Sequence, residues 1–375
     1  MKLLILQEKL KQGLNVVSKL TPKSLTLPIL NNILLNTEKN FLELASTDLE
    51  IGIKYYILTK IEKQGKTTIP SQLFFNFINL LPNKNINIEL KKNNLDIVCE
   101  NYKTQINTIS ADEFPIIPIL KETENITIDN SLFCESLKQI VDIASLSNSK
   151  PEISGVYLCF QKNQLIITAT DSFRLGEKKI FFKKPNLLKK EYSLILPQKT
   201  IKYLINVFSE KTGEIKISFS LNQIMFESSL QETPHPEIQL VSKLVDGEYP
   251  NYQEIIPKKF TTEAVFKKEE LLNQIKSASL FSKKTNEIKI KLNIKKGEMD
   301  ICSSNNETGE YQSTLKSKIK GKNEEIIFNY KFLIDGLLNI KSSEVLFGFN
   351  GDSGPSVLKP VGDQSYIYIV MPIKT

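Results

Sequence analysis

The sequence predicts an α+β protein made of three tandem copies of one domain, each with two helices packed on antiparallel sheets. Two repeated patterns support this prediction. A polar turn leads into a strand that ends in Thr-Asp or a similar pair, and these ends fall at Asp48, Asp171 and Asn305. Further along each copy, a strand runs directly into an apolar helix, at 67–81, 194–208 and 326–340. A chain of 375 residues accommodates several domains that each bury a core.

Each copy is expected to open with a short strand and an amphipathic helix. These helices are predicted at 8–20, 131–146 and 268–281. In the second of them, Leu137, Ile140 and Ala144 recur at helical spacing, which places apolar side chains on one face. We therefore expect one face of each helix to be buried and the other to be exposed.

Segments of alternating polarity predict the strands that follow these helices. Over 287–294, isoleucine and leucine alternate with lysine and asparagine, as in a half-buried strand. Segment 85–100 predicts a hairpin that turns at 92–94, and segment 213–228 predicts the equivalent hairpin of the second copy. Each copy is thus expected to run helix, hairpin, helix, hairpin.

A proline after an apolar or aromatic residue closes each copy, at Pro115, Pro250 and Pro372. With linkers just after the first two of these prolines, we expect domains at 1–124, 125–256 and 257–375. Similar modules in a row favour a curved or closed assembly.

The composition is that of a globular protein, because hydrophobic residues make up 41% of the chain. The apolar run at 3–6 is too short for a signal peptide, and no run approaches the roughly 20 residues of a membrane span. We expect a cytoplasmic protein that has no membrane partner.

The charge of the chain indicates a weak preference for polyanions. The formal net charge is +7, and all basic residues except Arg174 are lysines. Lysines on or beside the predicted helices are candidates for a basic lining: Lys9, Lys11, Lys19, Lys23, Lys138, Lys150, Lys199, Lys202, Lys276, Lys283 and Lys331. The alternative is that each lysine only solvates an exposed helix face, although their recurrence in every copy argues against it.

The usual residues of catalytic and metal sites are scarce. His235 is the single histidine and lies between prolines, where we expect an exposed loop residue. Four scattered cysteines without C-x-x-C spacing predict buried free thiols. Because Asp48 and Asp171 recur with the repeat, we expect them to stabilise turns. The sequence predicts no catalytic residue, no metal site and no cofactor.

Five segments together resemble one family, the bacterial sliding clamps, which are the β subunits of the replicative DNA polymerase. These segments are LTLPILNNILL (25–35), STDLEI (46–51), ATDSFRLG (169–176), SKLVDGEYPNY (242–252) and YIVMPIKT (368–375). The resemblance covers the whole chain in order. It implies a head-to-tail homodimer that closes as a ring around duplex DNA, with helices facing the hole and no catalytic activity.

The resemblance also implies the partners. These are duplex DNA bound without regard to sequence, the replicative DNA polymerase, the clamp loader and other proteins that carry a clamp-binding motif. Such motifs bind a hydrophobic cleft between the second and third copies. The matching residues here are Ile153, Thr170, Ser172, Phe173, Arg174, Leu175, Pro250, Ile255, Ser356, Val357, Ile369, Val370, Met371, Pro372 and Ile373.

At the cleft this chain departs from the family pattern. Ser172 and Phe173 stand where a small residue and then His or Tyr are frequent, and Glu254 stands where a basic residue is common. For the dimer interface, the resemblance points to Thr104 and Ile106 of the first copy against Leu280 and Phe281 of the third. Leu280 and Phe281 could equally be core residues. Two alternative functions remain, an enzyme of DNA metabolism and a non-replicative ring scaffold.

Overall fold

The computed structural model describes residues 1–22, 24, 26–120, 124–147, 149–186, 188, 190–230 and 233–374. Lys23, one of the candidate lysines, lies outside them. Two long helices occur in each copy, as the apolar periodicity predicts. The helices are α1 (Gln7–Val17), α2 (Ser71–Leu80), α3 (Asn130–Ile140), the short α4 (Pro151–Ser154), α5 (Gln198–Phe208), α6 (Lys268–Ser279) and α7 (Tyr330–Asn339). Within the described ranges, no helix is both long enough and apolar enough to cross a bilayer.

The strands outnumber those predicted from the sequence. The first copy contains β1 (Lys2–Leu6), β2 (Asn32–Glu38), β3 (Phe41–Thr47), β4 (Ile51–Leu58), β5 (Lys60–Lys63), β6 (Lys66–Pro70), β7 (Asn85–Lys91), β8 (Asn94–Cys99) and β9 (Tyr102–Asn107). The second contains β10 (Glu124–Asp129), β11 (Gly155–Phe160), β12 (Gln164–Thr170), β13 (Arg174–Phe181), β14 (Tyr192–Pro197), β15 (Glu214–Phe219), β16 (Gln223–Ser229) and β17 (Pro236–Lys243). The third contains β18 (Thr262–Lys267), β19 (Glu287–Asn293), β20 (Glu298–Asn305), β21 (Gly309–Lys316), β22 (Ile319–Lys320), β23 (Glu324–Asn329), β24 (Glu344–Phe349), β25 (Ser356–Pro360) and β26 (Tyr366–Val370).

The chain folds into two compact units, and the second copy contributes to both. The first unit comprises 1–134 and 202–244. It holds a five-stranded sheet in the order β5-β1-β7-β8-β9 and an eight-stranded sheet in the order β10-β15-β16-β17-β4-β3-β2-β6. The larger sheet joins two copies, because β17 pairs antiparallel with β4 from Ile238–Tyr55 to Ser242–Ile51.

The second unit comprises 135–201 and 245–375. It holds a nine-stranded sheet in the order β14-β11-β12-β13-β26-β25-β24-β18-β22 and a four-stranded sheet in the order β21-β20-β19-β23. Here β13 of the second copy pairs with β26 of the third, from Arg174–Val370 to Lys178–Tyr366. The strand-to-strand connection between successive copies is therefore made in the same way in each unit.

Several local predictions are confirmed. The hairpin of the first copy turns between β7 and β8, and its equivalent in the second copy is β15 with β16. Strand β19 buries Ile288, Ile290 and Leu292, as their alternation predicts. The simple order helix, hairpin, helix, hairpin is wrong, because at least three strands follow most helices. Short strands such as β5 and β22 have no alternating pattern of polarity from which they could be predicted.

Helix α7 lies unusually close to β26. A Cβ added to Gly336 would stand 2.5 Å from Cδ1 of Tyr368, far inside van der Waals contact. We therefore expect Gly336→Ala to push the buried Tyr368 ring aside and to destabilise the fold by about 1–3 kcal/mol. Thermal unfolding should show a lowered midpoint. Leu338→Ala, on the exposed side of the same helix, is the control, and equal midpoints for the two variants would contradict this packing argument.

Candidate functional site

An open apolar groove of about 560 Å³ lies in the second unit. It brings together the end of the turn before β13, the start of α7 and the residues after β26. Its walls are Ser172, Phe173, Asn329, Phe332, Met371, Pro372, Ile373 and Lys374. The Phe173 side chain is 63% exposed, which is unusual for phenylalanine in a folded domain.

A tight turn between β12 and β13 fixes the position of Phe173. The Asp171 carboxylate accepts hydrogen bonds from the backbone N–H groups of Phe173 and Arg174, both at 3.0 Å. The Thr170 hydroxyl donates to the Arg174 carbonyl at 2.7 Å. Ser172 has φ 78°, in the left-handed region that non-glycine residues seldom occupy. These bonds hold the turn in that strained conformation.

The same turn occurs between β3 and β4. Asp48 accepts from the N–H groups of Glu50 and Ile51 at 3.1 and 2.7 Å, and the Thr47 hydroxyl donates to the Ile51 carbonyl at 2.8 Å. Leu49 has φ 75°, which matches Ser172. The prediction that the repeated aspartates stabilise turns is therefore confirmed.

The chain after β26 builds one wall of the groove. The Met371 N–H donates to the Phe173 carbonyl at 2.9 Å, and the Ile373 N–H donates to the Ile327 carbonyl at 2.8 Å. Pro372 lies between them and has no N–H to satisfy. The wall thus connects the turn before β13 with β23 through two backbone hydrogen bonds.

The opposite wall is the first turn of α7. Asn329 caps this helix by accepting from the Lys331 N–H at 3.0 Å. The Tyr368 hydroxyl donates to the Phe332 carbonyl at 2.8 Å. The Phe332 ring stacks with Phe173, with centroids 6.5 Å apart and ring planes inclined by 21°. Asn329, Phe332 and Lys374 are the wall residues that sequence reasoning missed, although an asparagine directly before a helix is a recognisable cap signal.

Arg174 is the most constrained side chain near the groove. Its Nε donates to Asp171 at 2.9 Å, its Nη1 pairs with Asp335 of α7, and its Nη2 donates to the Asp142 carbonyl at 3.2 Å. The guanidinium carbon also stands 4.7 Å from the centroid of the Phe332 ring. Only 12% of the side chain is exposed. The guanidinium is therefore enclosed by its partners.

The other predicted cleft residues divide by burial. Ile153, Leu175, Ser356, Val357, Ile369, Val370 and Pro372 are buried. Leu175, Val357 and Ile369 pack with Tyr252 in one core cluster, so they lie within the sheet packing. Thr170 is half-buried in the turn, and Pro250 and Ile255 are exposed. None of these three is among the walls of the groove described above.

Burial raises the pKa of three of the four thiols. Burial, together with a hydrogen bond to the Glu191 carboxylate at 3.1 Å, raises the pKa of Cys159 to about 12. Burial also raises the pKa of Cys99 and of Cys302 above the ordinary thiol value. Cys302 is only half-buried, so the expectation of four buried thiols is wrong at that position.

His235 differs from its expected setting. Its ring stacks on Phe41 with centroids 4.0 Å apart and meets the edge of Tyr56 at 4.8 Å. The expectation of an exposed loop residue is therefore wrong, because this half-buried ring packs a loop of the second copy onto strands of the first. Flanking prolines signalled the loop but carried no information about aromatic partners distant in sequence.

The candidate lysines within the described residues are all exposed. They are Lys9, Lys11, Lys19, Lys138, Lys150, Lys199, Lys202, Lys276, Lys283 and Lys331. All of them lie on or next to helices, including the first turn of α7 and the end of α6. Exposure leaves their ammonium groups accessible to a polyanion.

The residues predicted for a dimer interface lie at two sheet edges. Thr104 and Ile106 belong to β9, the edge strand of the five-stranded sheet, where Ile106 is 5% exposed. Leu280 follows α6 and is 73% exposed. Phe281 stacks on Tyr311 of β21, with centroids 5.8 Å apart, and β21 is the edge strand of the four-stranded sheet. Unpaired edge strands offer hydrogen-bonding groups to another chain.

Comparison with known proteins matches three successive domain families. They are the N-terminal, central and C-terminal domains of the DNA polymerase III beta subunit, over residues 1–118, 127–251 and 253–374. The prediction of three tandem domains of one type is thereby confirmed.

Individual relatives match along their full length. The beta sliding clamp of Bacillus subtilis is 25% identical over 386 residues, which cover 100% of both chains. That of Synechococcus elongatus is 27% identical over 383 residues, covering 100% of this chain and 99% of the relative. The crystal structure of the Bacillus subtilis DNA polymerase sliding clamp is similar in fold, with a TM-score of 0.93 at 24% identity, covering 100% of this chain and 99% of that one.

Proposed function

Because the chain belongs to the DNA polymerase III beta subunit family, the bacterial sliding clamps, we propose that it encircles duplex DNA and tethers the replicative polymerase to it. In this role it is a processivity factor without catalytic activity, acting in the cytoplasm. Two chains form a head-to-tail ring, with domains at 1–124, 125–256 and 257–375. The clamp loader opens the ring, which is consistent with the absence of a P-loop motif from this sequence.

The main support for the tethering role is the groove beside the chain's last residues. It offers the exposed Phe173 side chain and the half-buried Met371 and Ile373 side chains on a framework held by backbone hydrogen bonds. A short peptide with aliphatic or aromatic anchors would bury this surface, and its backbone would remain partly solvated. The polymerase, the loader and other partners would dock through such peptides, each in competition with the others.

The exposed lysines support contact with DNA in a way that permits sliding. Lysine binds phosphate as a hydrated point charge on a flexible stem, whereas base contacts would create preferred sites. Retention on DNA would then come from closure of the ring, and affinity of the free protein would be small. The match to all three clamp domain families favours this role over an enzyme of DNA metabolism.

We expect weak and sequence-independent DNA binding by the free protein. Two labelled duplexes of equal length and unrelated sequence should bind alike in a fluorescence anisotropy titration. Affinity should fall steeply with salt, because binding releases counterions from the DNA and this release is less favourable at high salt. Replacing Lys199 and Lys202 together by Ala should lower the salt slope by about 1–2. A strong preference for one duplex at physiological salt would contradict the proposal.

A loading assay tests the ring itself. Purified clamp loader with ATP should trap the protein on nicked circular DNA, and cutting the circle should release it. Release shows that topology, and not affinity, retains the protein. Equal retention on linear and circular DNA would contradict the proposed ring.

A further inference from the structure

We propose that Arg174 is a positioning residue of the groove. Arg174 holds α7 and its Phe332 ring against the turn before β13, and it makes no contact of its own with a bound peptide. This inference rests on the proposed peptide-binding function of the groove. In this role, Arg174 sets the separation between the wall formed by the turn before β13 and the wall formed by α7.

The contacts of Arg174 reach three separate segments. Asp171 lies in the turn before β13, Asp335 lies in α7, and the Asp142 carbonyl lies just after α3. The planar guanidinium can satisfy all three from one side chain, because its N–H donors point in fixed and different directions. A lysine ammonium could not join them with the same directions, and this chain uses lysine at every other basic position.

Each guanidinium nitrogen of Arg174 already donates to an acceptor within the protein. Nε, Nη1 and Nη2 each have an acceptor, two of these acceptors are carboxylates, and only 12% of the side chain is exposed. Hydrogen bonds between charged groups are the strong ones, so the two carboxylates hold the guanidinium in place more firmly than a peptide carbonyl could. Asp335 itself is absent from the groove walls.

The repeated turn shows that the arginine does not serve the turn. Ile51 occupies the position of Arg174 in the turn between β3 and β4, and the hydrogen bonds there to Asp48 and Thr47 are the same. An isoleucine therefore suffices to form this turn. The charged side chain is found only in the unit that holds α7 and the groove, where Asp335 can pair with it.

Phe332 is the wall residue that this arrangement controls. The guanidinium carbon stands 4.7 Å from the centre of its ring, and the ring stacks with Phe173 on the other wall. The Tyr368 hydroxyl fixes the Phe332 backbone at 2.8 Å, whereas the ring depends on Arg174 and Phe173. Loss of the Arg174–Asp335 pair should let α7 and the ring shift together.

The decisive variant is Asp335→Asn, which removes the charge of the partner without touching the groove. The probe is a fluorescein-labelled hexapeptide with two leucines and a terminal phenylalanine, titrated by anisotropy against the full-length protein. We expect Asp335→Asn and Arg174→Met each to weaken binding about tenfold, the loss expected for one charged hydrogen bond. The double variant should be no weaker than either single one, because both remove the same link. Arg174→Lys should not restore affinity, and Leu338→Ala on the exposed side of α7 is the matched control.

A second measurement needs no peptide. The chain lacks tryptophan, so Phe332→Trp introduces a single fluorescent reporter on the wall. Adding Asp335→Asn to this variant should raise the acrylamide quenching constant about twofold, as the indole loses packing contacts. Circular dichroism of each variant verifies that it is folded.

The outcomes distinguish the positioning role of Arg174 from the peptide-binding function of the groove. If Arg174→Met weakens binding while Asp335→Asn binds like the parent, Arg174 contacts the peptide directly and the inference is overturned. Unchanged quenching on loss of Asp335 overturns it as well. If the parent protein binds no peptide but quenching still rises, the positioning role of Arg174 stands and the peptide-binding function fails.

Discussion

Removal of residues 371–375 should abolish peptide binding while leaving the domains folded. The deleted segment supplies Met371, Pro372 and Ile373, which form a whole wall of the groove, together with the hydrogen bonds to Phe173 and Ile327. Strand β26 ends at Val370 and keeps its pairing with β13 and β25, so the nine-stranded sheet is complete without the tail. Because hot-spot residues cluster in such walls, we expect affinity for a leucine- and phenylalanine-containing peptide to fall at least about a hundredfold.

The internal repeat provides a matched control for this prediction. The Lys243 N–H donates to the Glu50 carbonyl at 3.0 Å, as the Met371 N–H donates to the Phe173 carbonyl at 2.9 Å. Met371→Ala should weaken peptide binding about tenfold, through lost apolar contact, and Lys243→Ala should leave it unchanged. Calorimetric titration measures both. Parental affinity in the truncated protein would show that peptides bind elsewhere.

Local features of the fold could be predicted from the sequence because their causes are local. The helix positions follow from apolar spacing, and the hairpin between β7 and β8 follows from alternation on either side of a polar turn. The roles of Asp48 and Asp171 could be inferred because repetition itself argues for structure. The helix and hairpin signals are each contained within about fifteen residues of sequence, and the repeat shows itself when such short segments are compared.

The groove required information that no local pattern contains. Phe332 is one of many apolar residues in α7, and only the packing of that helix against the turn before β13 leaves its ring on a wall. Arg174 and Asp335 are 161 residues apart in sequence. Family resemblance pointed to this stretch of chain, but it did not distinguish exposed Phe173 from buried Leu175 two positions later. Burial depends on which strand pairs alongside, and no local pattern in the sequence identifies that strand.

The tail and the arginine act on the same groove from different sides. The tail supplies contact surface directly, so its loss removes affinity whatever the position of α7. Arg174 acts through the position of Phe332, so its loss should weaken every peptide that touches that ring and spare one that does not. Peptides with and without the terminal phenylalanine therefore distinguish a missing wall from a displaced one.

Replacing both Leu280 and Phe281 by Asp should convert the proposed dimer into folded monomers. Leu280 is 73% exposed, so a charge there costs the isolated chain little, and Phe281 is only partly buried against Tyr311. In a dimer, these side chains would meet the β9 edge, and two unpaired carboxylates would be buried against apolar surface. We expect the dimer dissociation constant to rise at least about a thousandfold, since each buried unpaired charge costs several kcal/mol.

Analytical ultracentrifugation across a range of protein concentrations measures this change, and circular dichroism verifies the fold. Leu221→Asp is the control, because Leu221 is fully exposed in the turn between β15 and β16 and lies outside the proposed interface. It should leave the dimer intact, which separates the position of a charge from its mere addition. If the variant at Leu280 and Phe281 remains fully dimeric, the dimer interface lies elsewhere on the protein. A monomer that still binds the peptide would show that each groove is complete within one chain, because every wall residue named here comes from the same unit.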